Sequence, residues 1–227
     1  DYLRISVTDR CNLRCIYCMP AEGVCPIEQK ELLSYEEIAR LTIAAARLGV
    51  RKVRITGGEP LVRKDLPFLI EEISAIAGIE DISLTTNGLL LKQLASSLAS
   101  AGLNRVNVSL DSVKPDRYRQ ITRGGDVYDV LEGIAEANRT GLTPVKLNMI
   151  PMRGINDDEI EEFAQLTKDT DLHVRFIECM PTGTRDLRNR GLTVPTEEIR
   201  ERASRIGSLA PVIMRKHGPA RYFRFDG

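Results

Sequence analysis

Two kinds of pattern alternate along this chain. Short stretches repeat apolar and polar residues with a period of two, the mark of a half-buried strand. Between them lie longer stretches with apolar residues three and four apart, the mark of an amphipathic helix. Strands are predicted over residues 3–8, 53–55, 82–86, 106–110, 145–150 and 172–177. A capping box, Ser34-x-x-Glu37, opens the first helix, with Ile38, Leu41, Ala45 and Leu48 on its inner face. The next helices follow from Leu66, Leu69, Ile70 and Ile73, and from Leu90, Leu94 and Leu98. Two more are predicted over residues 128–140 and, after Asn156 or Asp157, over 159–167. Strand followed by helix, repeated, indicates a parallel sheet, either curled as a partial barrel or laid out as a doubly wound open sheet.

The strand faces separate these two. Leu3, Ile5 and Val7, Val53 and Ile55, Ile82 and Leu84, Val106, Val108 and Leu110, Val145, Leu147 and Met149, and Val174 and Phe176 make one face apolar. Arg4, Ser6, Arg54, Thr56, Ser83, Thr85, Asn107, Ser109, Lys146, Asn148, His173 and Arg175 make the other polar. A doubly wound sheet carries helices on both faces, and its strands read as apolar almost throughout. The expected fold is therefore α/β, an incomplete (β/α)6 TIM-like barrel with an open polar lumen. Residues 1–180 form the barrel, and 181–227 the start of a C-terminal region.

Composition narrows the partners. Hydrophobic residues make up 42% of the 227, enough for a proper core. Lys plus Arg and Asp plus Glu are 32 each, so no net charge argues for a nucleic acid or an anionic membrane. No apolar run reaches membrane-spanning length. The cysteine usage is that of a reducing compartment, so cytoplasm is expected, or mitochondrion in a eukaryote. The chain opens on Asp1 rather than methionine, so the lack of a targeting segment decides nothing.

The chemistry begins at Cys11, Cys15 and Cys18, spaced C-x3-C-x2-C just after the first strand. Three thiolates are one short of the usual set for a [4Fe–4S] cubane. An open iron would accept a small chelate such as the amino and carboxylate groups of S-adenosylmethionine. A zinc site lacking its fourth ligand, or a disulfide with a spare thiol, are the alternatives. Cys25 and Cys179 have no partner spacing and read as small hydrophobes. Arg4, Arg54, Lys146 and Arg175 come from four strands onto one polar face, and like charges gathered there call for an anion. A nucleoside triphosphate suits them. Ser109 and Asn148, on the cofactor side, are placed to hydrogen-bond a ribose, or are simply polar strand residues. The Gly57-Gly58-Glu59-Pro60 turn closing the second strand lets backbone approach a ligand, or is an ordinary strand-to-helix turn.

The cysteine spacing, with Tyr17 before its last member, resembles the signature of the radical S-adenosylmethionine superfamily. Tyr2 to Pro20, Arg54 to Arg63, Thr85-Thr86-Asn87-Gly88, Asn107 to Asp111 and Arg175 to Pro181 together resemble its GTP 3′,8-cyclase family, in order and over essentially the whole chain. That resemblance implies a [4Fe–4S] cluster on Cys11, Cys15 and Cys18. It implies S-adenosylmethionine lined by Tyr17, Gly58, Ser109 and Met180, with Glu59 and Asn148 beside it. GTP would lie against Arg4, Arg54, Thr85 and Lys146, with Arg175 as a further lumen cation. The reaction implied is abstraction of the ribose 3′ hydrogen and closure of C3′ onto C8 of guanine, opening molybdenum cofactor biosynthesis. It needs a reducing electron donor; a homodimer is one arrangement left open. Arg14 reads as structural.

Members of that family carry a second three-cysteine cluster near the C-terminus, whereas no cysteine follows Cys179 here. The expectation is a C-terminally truncated cyclase, with a second [4Fe–4S] cluster belonging to the missing region, that binds S-adenosylmethionine without completing turnover. Residues 181–227 hold ten Lys/Arg against five Asp/Glu, a solvated face or an added attraction for triphosphate. The alternatives are a single-cluster radical S-adenosylmethionine enzyme on another substrate and an iron–sulfur electron-transfer module.

Overall fold

The structure is a computed structural model and describes residues 2–179, 191–213 and 220–226. Six strands form one sheet: β1 (Tyr2–Ser6), β2 (Lys52–Thr56), β3 (Asp81–Thr86), β4 (Arg105–Ser109), β5 (Lys146–Met149) and β6 (His173–Phe176). All neighbours are parallel, and the order across the sheet is the order along the chain. Right-handed crossovers without a reversal of order put every connecting helix on the same side. One face is thus covered by helices and the other is left free. β6 does not pair with β1, so the barrel is partial and open.

The helices are α1 (Tyr35–Arg47), α2 (Leu66–Ser74), α3 (Leu91–Ser100), α4 (Pro115–Thr122), α5 (Val127–Arg139) and α6 (Ile160–Asp169). α1 starts as expected: Ser34 accepts from the Glu37 amide, and the Glu37 carboxylate accepts from the Ser34 amide. Its inner face differs from the expected one. Ile38, Ala39 and Thr42 are buried, while Leu41 and Leu48 are 54% and 88% exposed. In α3 the buried set is Leu91, Ala95 and Leu98, one position round from Leu90 and Leu94. These helices join the apolar strand residues in one core that includes Ile55, Ile70, Leu84, Leu98, Val108, Leu110 and Leu147. Each such side chain contributes roughly 1.5–3 kcal/mol on burial.

Four elements lie outside the sequence-based expectation: α4, α7 (Thr196–Ala203), and the strands β7 (Leu209–Val212) and β8 (Tyr222–Phe225), which pair antiparallel. α7 packs Ile199, with Val194, onto Ile160 at the start of α6. Arg202 holds it there through the Asp157 carbonyl at 2.9 Å. Among the described residues no helix is long and apolar enough to cross a membrane.

Candidate functional site: a cysteine loop above a cationic lumen

The three cysteines lie on the loop after β1, at the C-terminal end of the sheet. The Cys18 and Met19 amides both donate to the Cys15 carbonyl, at 2.9 and 3.1 Å, which folds the loop into a turn. Leu13, 4% exposed, anchors it in the interior. Backbone bonds from Arg14 and Ile16 to the carbonyls of Thr122 and Ile121 dock it on the end of α4. The Arg14 guanidinium donates to the Cys11 and Leu13 carbonyls at 2.7 and 2.8 Å, a structural task as expected.

All the cysteines are free thiols. Burial pushes the Cys15 thiol up to about 12, with Asp111, Cys11 and Cys18 adding to the rise. Cys11 is raised chiefly by burial, with Glu59 and Cys18 adding to it, and Cys18 is raised by burial. Such a set is costly to ionise alone and needs a positive centre to hold it as thiolates. Among the described residues no three His, Cys, Asp or Glu side chains converge on a single ion. Cys179 packs with Ile121 and Met152 as a small hydrophobe, and Cys25 is exposed.

The glycine turn has a definite purpose. A Cβ on Gly58 would lie 2.4 Å from the Arg10 carbonyl oxygen and 2.6 Å from that of Asp9; one on Gly57 would lie 2.6 Å from that of Thr8. The Gly58 and Glu59 amides donate to the Thr8 and Arg10 carbonyls, each at 2.7 Å. The turn is therefore pressed against the backbone leading into Cys11. Glu59, expected beside the cofactor, is 1% exposed and occupied within the protein. Its Oε1 accepts from Thr86 Oγ1 at 2.7 Å and the Leu61 amide at 3.0 Å, and its Oε2 from the Asn87 amide at 2.7 Å. Its carboxylate supports the turn.

Below this loop the polar strand face is layered by the register. Ser109, Asn148 and Arg175 stand side by side at the upper level, and Arg175 donates to Asn148 Oδ1 at 3.4 Å. Thr85, Asn107, Lys146 and His173 form the next level. Arg4, Arg54, Ser83 and Arg105 form the third, and Tyr2, Lys52 and Asp81 the lowest. The four cations expected on this face are brought together there; Arg4 is exposed, and Arg54, Lys146 and Arg175 are half-buried. Burial lowers the Lys146 pKa, and Arg175, Arg105 and Arg54 lower it further. Arg54 is lowered chiefly by burial, with Arg175, Arg105 and Arg4 contributing, and its Nε is buried without a hydrogen-bond partner. Met180 lies outside the described residues.

Sequence reading passed over Lys52, Asp81 and Arg105. Each sits two residues before a polar position that was recognised, so carrying the alternation one step further reaches all three.

The sequence profile of the Radical SAM superfamily matches residues 5–167, and the chain belongs to that superfamily. A radical SAM methyltransferase from Sphaerobacter thermophilus shares the fold, with a TM-score of 0.68 at 19% identity over 90% of this chain and 62% of that one. Within the superfamily the chain belongs to the GTP 3′,8-cyclase family. It is 53% identical to the GTP 3′,8-cyclase of Alkaliphilus oremlandii and 54% identical to that of Moorella thermoacetica. Each match covers 100% of this chain and 70% of the relative.

Proposed function

We propose that this protein cyclises GTP with S-adenosylmethionine held at a [4Fe–4S] cluster, the opening step of molybdenum cofactor biosynthesis. Cys11, Cys15 and Cys18 would hold the cluster. Tyr17, Gly58, Ser109, Asn148 and Met180 would line S-adenosylmethionine, and Arg4, Arg54, Thr85, Lys146 and Arg175 would take GTP. When bound, cluster and S-adenosylmethionine together supply a 5′-deoxyadenosyl radical on receipt of an electron from a reducing donor.

The observation that carries the reading is the lumen itself. Cations from five of its six strands descend from the cysteine loop, and the only acid on those described strands, Asp81, is already paired to Arg105. A chain of phosphates laid along them would anchor the nucleotide far from the cluster and turn its ribose up toward the S-adenosylmethionine lined by Ser109 and Asn148. Fixing the ribose there is what the protein contributes to selecting one C–H bond.

The test is to reconstitute the full-length protein encoded by the intact gene with iron and sulfide without oxygen, reduce it, and quantify 5′-deoxyadenosine with GTP, with ATP and with neither. A burst specific to GTP, matched by a cyclised nucleotide, is expected. Deoxyadenosine that ignores GTP would overturn the substrate, and none from a fully loaded protein would overturn the radical chemistry.

A further inference from the structure

The lowest part of the lumen holds a feature that the mechanism above leaves unused. Arg105 opens β4 and Asp81 opens β3, and the two side chains meet as a fork on a carboxylate. Arg105 Nη2 donates to Asp81 Oδ2 at 2.5 Å, and Nη1 donates to Oδ1. Their side chains are 24% and 14% exposed, so the pair is sheltered yet open to the lumen.

The pair is electrically joined to the cations above it. Arg105 lowers the pKa of both Arg54 and Lys146, while Asp81 raises that of Lys146. Arg105 stands level with Arg4, Arg54 and Ser83, and Asp81 stands one level lower, beside Lys52. From Ser109 to Arg105 the strand descends four residues, about 13 Å. Arg54 Nε, at the level of Arg105, is a buried donor without a partner. An anionic chain that enters from the cysteine end thus meets Arg175, then Lys146, then Arg54 and Arg105. The carboxylate of Asp81, with Lys52 beside it on β2, comes last, and it repels a phosphate brought against it.

We propose that Arg105 receives the terminal phosphate of the bound nucleotide and that Asp81 is the stop that sets how many phosphates the lumen admits. The proposal rests on the reading that this lumen binds a nucleoside triphosphate. A guanidinium fork suits it: Arg105 presents a donor pair to phosphate in the geometry it now offers the carboxylate. Binding does not require the pair to break completely, since a phosphate oxygen can take one donor while Asp81 keeps the other.

The experiment is calorimetric binding of GDP, GTP, guanosine 5′-tetraphosphate and inorganic tripolyphosphate. The proteins are the wild type, Arg105→Gln, Asp81→Asn and the neutral pair Asp81→Asn/Arg105→Gln, with melting curves alongside. Wild type should prefer GTP over GDP and gain nothing from the fourth phosphate. Arg105→Gln should lose about tenfold for GTP and little for GDP, erasing the preference. Asp81→Asn should admit the tetraphosphate at least as tightly as GTP. If Arg105→Gln fails to fold, the neutral pair carries its arm of the test. Unchanged phosphate preferences in folded variants, with only the melting temperature lowered, would overturn the proposal and leave the pair a structural staple. Wild type that binds tripolyphosphate no worse than GTP would overturn the nucleotide reading while the length test still stands. Wild type that binds neither would overturn both.

Discussion

The Tyr17 hydroxyl donates to Oδ2 of Asp111 at 2.7 Å, across 94 residues of chain. Asp111 is 3% exposed, and its Oδ1 accepts from the Ile150 amide at 2.9 Å. Its backbone carbonyl accepts from Asn156 Nδ2 at 2.6 Å. A buried carboxylate just beyond β4 therefore ties the cysteine loop to the loop after β5. Burial raises the Asp111 pKa to about 6, with the Tyr17 and Ile150 bonds pulling it down. Above that pH the carboxylate needs both donors, and Tyr17→Phe leaves Oδ2 with none. The loss should be about 1.5–3 kcal/mol at pH 8. Losing the bond raises the folded-state pKa further, so at pH 5 the acid is protonated and the loss should shrink. Urea unfolding of both proteins at the two pH values checks this; an equal loss at both would show that the hydroxyl does not serve the carboxylate.

Glu59 yields a sharper contrast. Its carboxylate meets only donors: the Thr86 hydroxyl and the amides of Leu61 and Asn87. In Glu59→Gln one of its oxygens becomes an NH2 group, which must face the backbone N–H of Leu61 or of Asn87, donor against donor. The expected cost is about 1–3 kcal/mol in unfolding free energy. Because the Glu59 amide is bonded to the Arg10 carbonyl, the change should also loosen the approach to Cys11. Iron uptake on reconstitution should fall along with stability. Wild-type stability in Glu59→Gln would mean that the carboxylate is free for a ligand, as the sequence alone led one to expect.

That expectation illustrates where a linear reading stops. The Gly-Gly-Glu-Pro turn is visible as a motif, but the use of Glu59 depends on Thr86 and Asn87, brought near by β3 lying beside β2. The polar lumen was legible because period-two alternation assigns faces without knowledge of the neighbours. Part of its lower two levels was lost because each strand was begun at its first apolar residue, which cut away Lys52, Asp81 and Arg105. In α1, the large residues Leu41 and Leu48 drew the face toward solvent, whereas the helix meets the core through Ile38, Ala39 and Thr42. α4 buries only Tyr118, Ile121 and Thr122 in eight residues, too few for a period to emerge. β7 and β8 are four residues each and, among the described residues, pair only with one another, so no longer pattern announces them.

Lys146 supplies a prediction that reads the lumen's charge directly. Burial lowers its pKa from 10.5, then Arg175, Arg105 and Arg54 lower it further, with Asp81 opposing. A base with a lowered folded-state pKa binds fewer protons folded than unfolded between the two values. Stability therefore rises with pH across that window. A bound polyphosphate reverses the local sign: negative charge beside Lys146 favours the ammonium and moves its pKa back up. Binding should then take up a fraction of a proton on the alkaline side, set against any proton that the ligand's own terminal phosphates release there. His173, whose pKa is itself lowered by burial, Lys146 and Arg175, should be neutral there. Calorimetry of tripolyphosphate binding in two buffers of different ionisation heat measures the uptake. Lys146→Met should abolish it and weaken binding about tenfold or more. Uptake that persists in Lys146→Met would assign the proton elsewhere and remove Lys146 from the anion's path.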